Sequence, residues 1–205
     1  MNRWVTFNKY MMLGLQWMLL NIYWLIFTFL GGVILGFFPA TIALLTMLAN
    51  KSYKEQSARE LFKSFWQVYK KHFLRGNRYA VIYYGIAYLI YWSSLTVLSN
   101  DLQILYPWLI LLLIMFVAHL AYFFVFMATE HLSFWGHLSQ PFMVMLVTPL
   151  ETIGIVVTTV LWLIVLDFFV VLIPLFSANV IALCWLLLSQ QALRKIKKKQ
   201  EVMEG

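Results

Sequence analysis

Between Tyr79 and Leu193 the chain carries no lysine and no arginine, although it has 15 of them in 205 residues. Eight are packed into residues 51–78, KSYKEQSARELFKSFWQVYKKHFLRGNR. Five more follow in the tail (Arg194, Lys195, Lys197, Lys198 and Lys199), and the other two are Arg3 and Lys9. A soluble domain spreads charge over its surface, with about a quarter of its residues charged. Here 11% are charged and 63% are hydrophobic. The chain therefore reads as an integral membrane protein of one domain. Its positive clusters read as segments kept on the cytoplasmic side of the membrane, against an anionic leaflet. The net charge of +7 does not argue for nucleic acid, because the charges flank apolar spans.

The apolar run from Tyr10 to Asn50 is far longer than the about 7–15 residues of a signal-peptide core. We expect the first span over 10–36, with Gln16 and Asn21 as polar interruptions and Trp4, Trp17, Tyr23 and Trp24 as aromatic residues suited to the interface. Pro39 cannot continue an incoming helix but suits the first turn of a new one. A break near 36–38 and a short helix over 39–50 follow. Further spans are expected at 79–99, 105–127, 150–170 and 175–191, with a polar-aromatic connection at 129–141 and a frayed basic tail over 194–205. Twelve residues reach only about 18 Å, short of the about 30 Å hydrocarbon core, so 39–50 is read as interfacial, re-entrant or half of a kinked hairpin. The fold class is an all-α polytopic bundle of five spans. Letting 10–30 and 33–49 both cross gives a six-span alternative with Arg3 and Lys9 inside.

Within 51–78 the residues Phe62, Phe65, Trp66, Tyr69 and Phe73 recur at helical spacing and fall within about a 100° arc at 100° per residue. Lys63, Gln67, Lys71 and Arg75 lie outside that arc. This is an amphipathic helix over 57–75, with Ser57 and Glu60 forming a capping box. One face is aromatic and the other basic, the pattern of a helix lying in a membrane interface. The aromatic face is also the candidate surface for docking a partner.

The stretches GFFPATIAL (36–44) and FKSFWQVYKKHFLRGN (62–77) resemble the YesL family, small bacterial integral membrane proteins of unknown function. The Gly–aromatic–Pro-Ala-Thr turn after the first span and the F-x-x-F-W-x-x-Y-K-K-x-F stretch carry the resemblance. It implies association with sugar-uptake ABC transporters, with their permease subunits as partners. It implies no established activity and no catalytic residues.

The chain lacks a Walker A loop, a G-x-S-x-G elbow and an H-E-x-x-H zinc motif, and no enzymatic activity, cofactor or metal is expected. A metal site from Glu130, His131 and His137 would need a fold that the sequence does not define. The lone Cys184 sits in an apolar run. Ionisable residues inside a membrane are costly and often functional, which singles out His119 and Asp167. Glu151 reads as a carboxylate at a helix N-terminus. A helix N-terminus at Pro39–Thr41 within the membrane could hold an anion. The expected function is an accessory or regulatory component of carbohydrate ABC-type transport. The alternative is an autonomous small-solute carrier or channel using the discontinuous first helix and Asp167.

Overall fold

The computed structural model describes residues 3–100 and 102–204. Within them lie seven α-helices: α1 (Arg3–Leu30), α2 (Ile34–Asn50), α3 (Ala58–Ser99), α4 (Tyr106–Thr129), α5 (Gly136–Val147), α6 (Pro149–Phe168) and α7 (Ile173–Glu204). Helices α1, α3, α4, α6 and α7 are long and apolar enough to cross a membrane, so the described residues form an all-α bundle with five helices of spanning length. The expectations resting on the side chains of Arg3, Trp4 and Lys9 lie outside the described residues.

Helix α2 is the centre of the bundle. It carries no charge, and Phe38 to Leu45 are all buried. A helix that is apolar all round has no face to give to water, and here α1, α3, α4 and α7 surround it. Its 17 residues reach about 26 Å, less than a full crossing.

The break before α2 is corrected from 36–38 to 31–33. Gly32 (φ 69°) and Val33 (φ 63°) both have positive φ, and the Ile34 N–H donates to the Gly32 carbonyl at 2.8 Å, which makes a γ-turn on Val33. Pro39 lies inside α2 rather than at its start. Two glycines explain the difference. A Cβ on Gly31 would lie 2.3 Å from the Gly36 Cα, and one on Gly36 would lie 2.2 Å from the Thr28 carbonyl oxygen. Only glycine at both positions lets the α1–α2 hairpin close so tightly.

Helix α3 is one continuous element of 42 residues, about 63 Å long, where the sequence suggested an amphipathic helix and a separate span. Nothing between Arg75 and Tyr79 forces a stop, since Gly76 costs only about 1 kcal/mol in a helix. Gly76 is also where α2 crosses: a Cβ there would meet Ile42 Cδ1 at 3.2 Å and Pro39 N at 3.6 Å. The expected capping box is present, with Ser57 and Glu60 bonding each other's backbone N–H.

Two further boundaries are corrected. The connection at 129–141 is shorter than expected, because α5 begins at Gly136 and runs to Val147 before Pro149 opens α6. The basic tail continues α7 as helix to Glu204. Its Lys and Gln residues are good helix formers, Ala192 is buried, and Leu193 and Ile196 pack against the core.

Lipid is as apolar as leucine, so close packing at small residues and interhelical hydrogen bonds must hold such a bundle. Asn21 supplies one such junction. Its amide donates to the carbonyls of Ile173 (3.1 Å) and Pro174 (2.9 Å), and its oxygen accepts from the Ala178 N–H at 2.9 Å. These bonds tie α1 to the first two turns of α7. Asn179 returns the contact by donating to the Trp17 carbonyl.

Candidate functional site

The aromatic face of α3 closes on α1, with Phe27 at its centre. The Phe27 ring stacks on Phe65 (5.3 Å, 12°) and Trp66 (5.3 Å, 20°) and lies 5.1 Å from Tyr69. Tyr23 meets Phe62 edge-on at 5.5 Å, and its hydroxyl donates to the Ala58 carbonyl at 2.9 Å. Phe65 and Tyr69 are consequently buried, while Phe62 and Trp66 stay 40% and 38% exposed and Phe73 half-buried. This corrects the docking expectation: the stripe is spent on an internal contact, and only its rim at Phe62 and Trp66 remains open. Apolar rings on an unpaired helix face are covered by the nearest apolar helix of the same chain, and α1 is that helix.

The polar half of α3 keeps an exposed basic surface away from the Phe27 contact. Arg59, Lys63, Lys70, Lys71, Leu74 and Arg78 are all exposed. Glu60 lies among them, and its carboxyl is held below the usual range by the backbone N–H and hydroxyl of Ser57.

The intramembrane polar candidates are not brought together. His119 is held between two helices, with Nδ1 3.0 Å from the Tyr83 hydroxyl and Nε2 3.0 Å from the Leu138 carbonyl. Both ring nitrogens are thus satisfied, and the residue ties α4 to α3 and α5. Asp167 is exposed in the last turn of α6. Thr41 accepts a hydrogen bond from Trp24 Nε1 at 3.1 Å, while Pro39 is buried against α3 at Gly76. The anion-binding helix start expected at Pro39–Thr41 is therefore the interior of α2. Glu151, at the expected helix start, pairs with Lys195 of the tail.

A cavity of 350 Å³ lies among α1, α2, α4, α6 and α7, lined by Trp24, Phe37, Thr41, Leu163, Leu166 and Trp185 among others. Its polar atoms are already engaged: Thr41 holds Trp24, and Thr159 accepts from Trp185 at 2.9 Å and donates to Ile155 at 2.7 Å. What remains is an apolar wall suited to acyl chains rather than to a sugar, which needs open hydrogen-bonding partners. Asp167 does not line it.

A feature that sequence reading missed is the return of loop 130–135 onto α3. Arg75 donates to the Leu132 carbonyl at 3.0 Å and Tyr79 to the Phe134 carbonyl at 3.3 Å. The Tyr79 and Phe134 rings stack at 4.8 Å and 16°. His137 is buried beneath this loop, with Nδ1 2.9 Å from the Ser133 carbonyl. Burial lowers its pKa from the ordinary value, opposed by the Ser133 contact and assisted by the Arg75 charge. Glu130 and His131 point outward instead, and no group of three metal-ligating side chains forms among the described residues. Lone aromatic and basic residues with no repeating pattern gave no signal for this contact.

The chain is similar over 188 residues to the uncharacterized protein YteU of Bacillus subtilis (strain 168), at 29% identity, covering 87% of this chain and 81% of that one. No solved structure matches. Residues 17–94, which run from α1 through the α1–α2 hairpin and most of α3, match a family described as a protein of unknown function, DUF624.

Proposed function

We propose that this chain is a non-enzymatic accessory or regulatory membrane component that works beside a carbohydrate ABC-type transporter, with the basic half of α3 and the tail on the cytoplasmic side. The observation that carries the reading is α3 itself. One uninterrupted helix joins an apolar span to a cationic polar half, and stacking on Phe27 fixes that half to α1. Such a rod presents a charged face held rigidly against the bundle. The resemblance of GFFPATIAL and FKSFWQVYKKHFLRGN to the YesL family supplies the association with sugar-uptake transporters. The apolar wall of the central cavity favours this reading over an autonomous carrier of polar solutes.

The test is a mild-detergent pull-down of the tagged chain from its native membrane, followed by mass spectrometry. ABC permease or sugar-binding subunits should co-purify. An Arg59→Glu, Lys63→Glu, Lys70→Glu variant should lose them while keeping its melting temperature. A wild-type chain that purifies without any transporter subunit contradicts the proposal.

A further inference from the structure

We infer that Lys71, Arg75 and Arg78, with Tyr79 and Phe134, form a binding site for the phosphate headgroup of an anionic phospholipid. The three cations stand at i, i+4 and i+7 on α3, so they project from one side of the helix. That side is opposite the aromatic stripe that packs on α1. Together with Leu74, Tyr79 and Phe134 they line a pocket of 310 Å³.

The pocket is built rather than incidental. Its far wall is the returning loop, which the Arg75–Leu132 and Tyr79–Phe134 hydrogen bonds and the Tyr79–Phe134 stack pin to α3. Arg75 spends one N–H on the loop, and a guanidinium has five to offer. Among the described residues the one ion pair is between Lys195 and Glu151, so the pocket's cations have no carboxylate partner. Three unpaired positive charges around one concavity repel each other and favour an anion. Phosphate oxygens suit the fork of arginine and the point charge of lysine.

Position selects the lipid over a free anion. Arg78 is the last positive residue before a stretch with none up to Arg194, so the pocket sits where the polar half of α3 gives way to the span. Along a spanning helix, the boundary between basic and charge-free residues is where lipid headgroups meet the chain. Leu74 (75% exposed) and Val81 (72% exposed) flank it and offer apolar surface for the first methylenes of acyl chains. The inference needs the chain to be in a membrane but no transporter partner, so it stands or falls separately from the accessory role.

The experiment titrates the full-length protein in neutral detergent with phosphatidylglycerol and, separately, phosphatidylcholine. The readout is binding by isothermal calorimetry. Lys71→Gln with Arg78→Gln removes two of the three cations that line the pocket and should weaken phosphatidylglycerol binding at least tenfold. Both residues are exposed, which spares the fold, and Arg75 is left to hold the loop. Arg59→Gln with Lys63→Gln removes the same charge from the same helix outside the pocket, and should change binding less than about threefold. Inorganic phosphate at the lipid's concentration should not compete. Equal losses in the two double variants would reduce the effect to diffuse surface charge and overturn the inference. So would equal binding of the two lipids, or displacement by inorganic phosphate, which would make this a free-anion site.

Discussion

Two basic segments extend apolar spans in this protein, and they are held in different ways. Residues 58–78 begin α3 and residues 194–204 end α7; both are helical and both are rich in lysine and arginine. The first is fastened along its length. Phe65 and Tyr69 are buried on Phe27, Tyr23 holds the Ala58 carbonyl, and Arg75 holds the returning loop. The second is fastened at its root, by the packing of Ala192, Leu193 and Ile196 and by the pair Lys195–Glu151. Charge alone reads the two alike. Aromatic side chains at helical spacing separate them, because large rings bury area and make ring contacts worth about 0.5–1.5 kcal/mol each beyond that burial. A lone ion pair with an exposed partner contributes at most about 1 kcal/mol.

The comparison can be broken by removing what holds each segment. The largest effect is expected from Gly36→Val, since no side chain fits against the Thr28 carbonyl. The α1–α2 hairpin that carries Phe27 should then fail to close, and the protein should aggregate on size-exclusion chromatography. Next comes Phe27→Ala. Loss of a buried phenyl ring costs about 3–5 kcal/mol in soluble cores. Amide hydrogen exchange should rise sharply over 58–75 while the apolar half of α3 stays protected. If 58–75 exchanges no faster, Phe27 is not what holds it.

A smaller effect is expected from acid. His137 sits under the loop that braces α3, with its pKa depressed mainly by burial. The unfolded chain therefore takes up a proton at a higher pH than the folded one, and stability is lost as pH falls through the ordinary histidine value of about 6.5. The melting temperature should drop between pH 7 and pH 5, and His137→Gln should make that drop shallower. An unchanged slope would remove His137 from the response.

The smallest effects belong to the tail, and they should be asymmetric. Glu151→Gln removes a charge whose partner Lys195 is 57% exposed, so the cost should stay below about 1 kcal/mol. Lys195→Gln leaves the Glu151 carboxylate, only 6% exposed, without its cation and should cost more. Thermal melts of the two variants in one detergent decide the order. A reversed order would mean that Glu151 is solvated and the tail is not anchored through it.

Much of this fold was legible in the sequence. Long charge-free runs marked the spans, and Ser57 and Glu60 marked the start of α3. Other features were hidden for physical reasons. Pro39 drew the break toward itself, yet the turn is set by how closely Gly31 approaches Gly36, a tertiary contact that local propensity does not contain. The spacing of Phe62, Phe65, Trp66, Tyr69 and Phe73 defined a face but not its cover, because Phe27 lies in a run that is apolar on every side. His119 was visible as an isolated polar group, whereas its partners Tyr83 and Leu138 come from two other helices. The candidate phosphate pocket needed the loop at 130–135 to fold back onto α3, which no periodicity announces.

The central claim is that α3 is one rigid helix joining the span to the basic face. The most direct measurement is a spin-label distance between Arg59→Cys and Leu95→Cys, both exposed positions, in a Cys184→Ala background reconstituted in lipid. A continuous helix puts the backbones about 54 Å apart, and the account predicts a single narrow distribution near that value. A helix that bends at Gly76 to lie along the membrane surface would give about 38 Å. A distribution centred there, or a broad one, would contradict the account.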